Sequence, residues 1–160
     1  GETLVISDEP GIDLEPSQEI EALLCLDDIN TITHSGVGEI TVPDLTATEI
    51  DISLTGVGDI DISNLDVTTL DVMISGVGNV LIGGQVENQT VELMSLGDYE
   101  AENLVSTTTD VDISSIGSAT VQVSTTLNAH ITGSGSVFYI GSPVVNRTGN
   151  GTGIVTQLSP

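Results

Sequence analysis

Acidic residues return along this chain at a nearly constant interval, and rows of carboxylates are the first feature that could do chemistry. Glu39, Asp59 and Asp98 occupy one recurring position, shared with Asn79, Ser118 and Ser136. Asp61 and Glu100 occupy another, two residues further on, shared with Thr41, Leu81, Thr120 and Phe138. Asp51, Asp71 and Asp110, with Thr90, form a third row. Three chemistries suit such rows. Calcium takes about six to eight oxygen ligands, and carboxylates on neighbouring rungs would supply some of them. The candidate metal ligands are Asp59, Asp61, Asp98 and Glu100, with Asp59 and Asp61 the best local pair. Two carboxylates at glycosidase separation would serve as acid and base on a polysaccharide. The third chemistry is a solvated face whose repulsion is screened by counterions and whose charge keeps the protein soluble. Rungs spaced ~4.8 Å apart would set like charges against each other at roughly 0.9 kcal/mol, even at the dielectric of water. The screened face is the reading favoured here, with calcium second and catalysis third.

The remaining reactive side chains do not assemble a catalyst. The 160 residues carry 24 acids against a single cation, Arg147, for a net charge of −23. A lyase acting on acidic sugars would need cations to neutralise its substrate, and such a substrate would be repelled. Nucleic acid and anionic membranes are excluded as partners for the same reason. His34 falls in an inward position near the start of the repeats, and His130 in an outward one. Cys25, the lone cysteine, aligns with a row of leucines and reads as core. Asn88, Asn146 and Asn150 open N-x-[ST] sequons, which matter only in a glycosylating host. No catalytic residue, no bound cofactor and no enzymatic activity are expected. The alternative is a carbohydrate-active enzyme or a cation-dependent glycan-binding protein.

The interval itself defines the elements that carry these rows. "SGVGEI" at Ser35 returns as "TGVGDI" at Thr55 and "SGVGNV" at Ser75. Marking the second glycine gives Gly38, Gly58, Gly78, Gly97, Gly117, Gly135 and, more loosely, Gly151, in steps of 20, 20, 19, 20, 18 and 16. That is a solenoid period. Between the glycines, "EIDISL" and "TDVDIS" place aliphatic residues at every second position, which is strand periodicity. Each unit reads as strand, glycine corner, strand and a second corner at "NLD". The glycines turn the chain rather than cradle phosphate, because strand follows them directly and the chain has no lysine. Stacking the units aligns Leu54, Ile74, Leu93, Ile113 and Ile131, and also Ile40, Ile60, Val80, Tyr99, Ala119 and Val137, as columns facing a core. The predicted fold is an all-β, single-stranded, right-handed parallel β-helix of six or seven coils of about 20 residues. It forms one domain over 1–160: an N-terminal start or cap at 1–27, repeated coils at 28–154 and a tail at 155–160. No apolar run approaches the ~20 residues needed to span a bilayer. No export signal is visible, and one is taken to have been removed.

The runs "LDVTTLDVMISGVGNVLI", "DLTATEIDISLTGVGDIDI" and "TLNAHITGSGSVFYIGSPVV" resemble the bacterial envelope family named putative auto-transporter adhesin, head GIN domain. The likeness lies in its repeated I-S-G-x-G-D-I pattern and a closing G-x-P-x-V, here Gly141 to Val145, and covers Asp28 to Ile154. The resemblance implies an exported all-β solenoid with no established catalysis, located in the periplasm, at the outer membrane or outside the cell. It implies a structural or adhesive module whose partner is a cell-surface protein or polysaccharide. Outward apolar residues Met73, Leu81 and Phe138 are the candidate contact patch for such a partner or for a second copy.

Overall fold

The computed structural model describes residues 29–159. Cys25 and the 1–27 segment lie outside the described residues. Ten strands follow one another: β1 (Thr31–His34), β2 (Ile40–Thr46), β3 (Glu49–Leu54), β4 (Ile60–Ile74), β5 (Val80–Leu93), β6 (Tyr99–Ile113), β7 (Ala119–Ile131), β8 (Val137–Ile140), β9 (Val144–Thr148) and β10 (Val155–Gln157). All pairings are parallel, in the order β1-β3-β4-β5-β6-β7-β8-β10, with β2 on β4 and β9 on β7. The register joins residues one period apart, as in Ile60 with Val80, Val80 with Tyr99, and Tyr99 with Ala119. The chain is a parallel β-solenoid of about six turns.

Both predicted inward columns are buried, from Leu54 to Ile131 and from Ile60 to Val137, with Ile40 half-buried where the stack begins. The coil nevertheless differs from the predicted strand-corner-strand unit. β4 runs unbroken for 15 residues through "NLD". Its alternation slips phase twice, at Ser63–Asn64 and at Thr68–Thr69, where two successive side chains point away from the core. At the first slip the register with β5 shifts, Ile62 facing Ile82 and Leu65 facing Gly84, and pairing resumes beyond it, so a full coil has three sides, closed by the glycine corner. The alignment of the last coil also shifts. An added Cβ on Gly153 would run into the carbonyl of Gly135, which makes Gly153 the true marker, while Gly151 stacks on Gly133. The final step is therefore 18 residues, like the one before it.

The glycine corner has a simple cause. Gly58 has φ of +138°, and a Cβ there would collide with the carbonyl of Gly38 in the coil below. Only a residue without a side chain lets successive corners stack this closely.

Inside the aliphatic core runs one polar chain. The Tyr99 hydroxyl donates to Gln89 Oε1 (2.8 Å), Gln89 Nε2 donates to Thr109 Oγ1 (2.8 Å), and Thr109 lies 2.7 Å from Ser106 Oγ. Ser106 Oγ donates in turn to the carbonyl of Gln122 (2.8 Å). With that hydroxyl committed, Thr109 is the donor to Ser106, and every link runs in one direction. Burial pushes the Tyr99 phenol far above its ordinary pKa. His34 is buried near the first coil as expected, with Nε2 2.9 Å from the carbonyl of Gly38 and Nδ1 unpartnered among the described residues.

Candidate functional site

The first acidic row faces outward but is not free. Asp59 Oδ1 accepts the backbone N–H of Asn79 (2.6 Å), Asn79 Oδ1 accepts that of Asp98 (3.2 Å), and Asp98 Oδ1 accepts that of Ser118 (2.6 Å). Ser136 Oγ does the same for Ile154 N–H (3.2 Å). The tight glycine corner leaves these amides without a strand carbonyl, and a short side chain on the coil below supplies the acceptor. This accounts for Asp, Asn and Ser immediately after the marker glycine. Of the candidate metal ligands, Asp59 and Asp98 thus each commit one oxygen to the backbone. Asp61 and Glu100 are separated in register by Leu81, roughly 10 Å apart at two rungs.

Carboxylates converge on the next face instead. Glu49, Asp51 and Asp71 each bring an oxygen within 4.8 Å of the others. Beside them a shallow trough of about 280 Å³ is lined by Asp51, Asp71, Met73, Thr90 and Glu92. Sequence reasoning placed Asp51 and Asp71 in one row but overlooked Glu49. The available signal was its i−2 position relative to Asp51, which puts both on one side of the strand. Further up the stack the same column replaces charge by amides: Asn128 donates to Asp110 (2.6 Å) and Asn146 to Asn128 (2.9 Å). Each histidine has one hydrogen-bond partner on its ring, His130 Nδ1 lying 2.9 Å from Thr148 Oγ1. Arg147 makes no ion pair among the described residues. Its Nη2 donates to the carbonyls of Gly151 (3.1 Å) and Gly153 (2.9 Å) in the last coil.

Met73, Leu81 and Phe138 are each half-buried and are not brought together. Leu81 and Phe138 share a column two intervening coils apart, while Met73 lies in a different column, paired with Ser53 and Glu92. The exposed aliphatic surface is elsewhere, at the residue just before each marker glycine. Val37, Val57, Val77, Leu96 and Ile116 are 50 % to 88 % exposed on five successive coils. A groove of about 450 Å³ runs along four of them, edged by Ser35, Thr55, Ser75 and Ser95 and floored by glycine backbone.

A solenoid with long, regular side-chain columns on open faces belongs to the class of repeat scaffolds that present extended surfaces. Residues 1–143 match the family described as putative auto-transporter adhesin, head GIN domain, and the chain belongs to that family. Among solved structures it is similar to a putative adhesin from Bacteroides fragilis, at 30% identity and a TM-score of 0.78, over 81% of this chain and 60% of that one. It is similar in fold to putative adhesins from Parabacteroides distasonis (22% identity, TM-score 0.76, 82% of this chain and 56% of that one) and Parabacteroides merdae (20%, 0.66, 81% and 64%). The chain thus spans between 56% and 64% of the length of these solved relatives. Among curated proteins none is similar in sequence. No helix among the described residues is long and apolar enough to cross a membrane.

Proposed function

We propose that this chain is an exported adhesive module of the bacterial cell envelope, binding a surface protein or polysaccharide without catalysis and without a resident cofactor. The observation that carries the reading is the regularity of its exposed columns. Coil after coil stacks equivalent outward positions in register, from β2 to β8, on faces that are open rather than folded into a deep cleft. Repeated weak contacts along such a face add through effective concentration, which suits adhesion to a repetitive or extended partner. Membership of an adhesin family and the adhesin-like solved relatives support the same reading.

One arrangement favours a cation-dependent variant of this function. Glu49, Asp51 and Asp71 could share a calcium ion with oxygens of an acidic glycan, the partner completing the ligand set that three side chains leave open. The test is binding of the purified chain, fluorescently labelled, to intact bacterial cells and to a glycan array, with calcium and with chelator. Saturable binding is the expected result. Release of new reducing ends from the arrayed polysaccharides would replace adhesion with catalysis.

A further inference from the structure

The exposed aliphatics at the glycine corner form a continuous feature. Val37, Val57 and Val77 are bridged in register, and Leu96 and Ile116 continue the same position on the next two coils. At ~4.8 Å per coil the ridge is about 19 Å long. The adjoining groove exposes glycine backbone, so its floor is smooth and its walls are methyl groups on one side and hydroxyls on the other. The hydroxyls of Thr55 and Ser95 on its edge donate to carbonyls of the coil below, those of His34 and Ile74. Core packing does not account for branched aliphatic side chains at five consecutive exposed corners, since the remaining two corners carry Ser134 and Thr152.

Acids flank the ridge on both sides. Glu39, Asp59 and Asp98 lie two residues beyond it, and Glu92 and Asp112 four residues before it. The sole cation of the chain is bound to the last coil. A second copy would bring acids against acids across a stripe one side chain wide, far short of the roughly 800 Å² per partner of a stable interface. An anionic membrane is repelled likewise.

We infer that the Val37–Ile116 ridge docks a protein segment that presents an apolar stripe flanked by lysine or arginine. Resting on the adhesive reading above, this assigns the class of partner and the surface that meets it. Apolar contact on the ridge supplies the affinity, and the flanking carboxylates select the charge and speed the encounter. A helix of about thirteen residues matches the ridge in length.

The test uses the whole chain and a synthetic helix of that length with leucines on one face and lysines beside them. Two comparators replace its lysines by glutamate or its leucines by serine. Fluorescence anisotropy should show binding of the first peptide alone, weakened by added salt, and methyl spectra should shift at Val57 and Val77. The combined Val57→Ser, Val77→Ser and Leu96→Ser protein should keep its melting temperature and lose about tenfold or more in affinity. Glu92→Gln with Asp112→Asn should weaken binding and flatten the salt dependence while leaving the ridge intact. Equal binding of the glutamate peptide, affinity untouched by the ridge substitutions, or no binding at all would overturn the proposal. So would ridge-dependent self-association in sedimentation or ridge-dependent capture of a glycan on the array. Cell binding separates the two claims: cells that hold wild type and ridge variant equally refute the ridge alone, and cells that hold neither refute adhesion.

Discussion

At the scale of single residues, the outward acids divide into two kinds that the sequence does not distinguish. Asp59 and Asp98 are acceptors for stranded backbone amides; among the described residues Asp51 and Asp71 serve no such amide. The distinction predicts that Asp59→Asn is mild, because an amide oxygen accepts equally well, as Asn79 does in the same column. Asp59→Ala should cost about 1–3 kcal/mol, since the Asn79 N–H loses its partner. Chemical denaturation of the two variants checks this, and equal midpoints would reverse the assignment. Tyr99 gives the second residue-scale prediction. Its folded pKa is raised by burial above the unfolded value, so the folded state holds its proton more tightly. That contribution is fully present below the unfolded pKa of about 10 and declines as pH rises above it. Stability should fall by up to about 1.4 kcal/mol per pH unit in that range. Tyr99→Phe should remove this alkaline slope while costing stability at neutral pH, where Gln89 Oε1 is left without its donor.

At the scale of elements, the corner and the rim decide whether coils stack. Gly58→Val puts a branched side chain at positive φ against the carbonyl of Gly38, and should cost roughly 1–3 kcal/mol from backbone strain alone. Val57→Ser, one residue away and exposed, should leave the melting temperature nearly unchanged. Arg147 acts at the other end. The carbonyls of first glycines such as Gly36 and Gly56 accept N–H groups from the next coil, from Val57 and Val77. Gly151 has no such coil above it among the described residues, and the guanidinium takes that place. Arg147→Gln should therefore accelerate amide exchange in β9 and β10 and leave β4 to β6 protected. Uniform protection in the variant would show that the guanidinium contact does not hold the last coil.

At the scale of the whole molecule, a net charge of −23 on 160 residues opposes compaction, and counterions relieve that strain. Sodium chloride should raise the melting temperature gradually. Calcium should do no more than sodium at equal ionic strength, because three side chains on an open face offer few of the oxygens a hard cation requires. A saturable calcium shift that disappears in Glu49→Gln with Asp71→Asn would instead place an ion on that face and move the function towards cation-dependent adhesion.

The solenoid, its period and its inward columns were legible in the sequence because a repeating coil makes tertiary neighbours of residues one period apart. Leu54 and Ile74 could be recognised as stacked from their spacing alone, and the structure stacks them. The bend at Ser63–Asn64 falls at the predicted "NLD" corner, level with Pro43 and Gly83–Gly84 in the neighbouring coils; what spacing does not encode is the bend at Thr68–Thr69, which carries no glycine or proline to announce it. Nor does it encode which outward carboxylates find a partner. Asp59 and Asp71 have the same side chain on the same kind of surface. Only the close stacking of glycine corners, which strands the Asn79 amide beside one of them, decides that Asp59 holds the fold together and Asp71 remains open to solvent and partners.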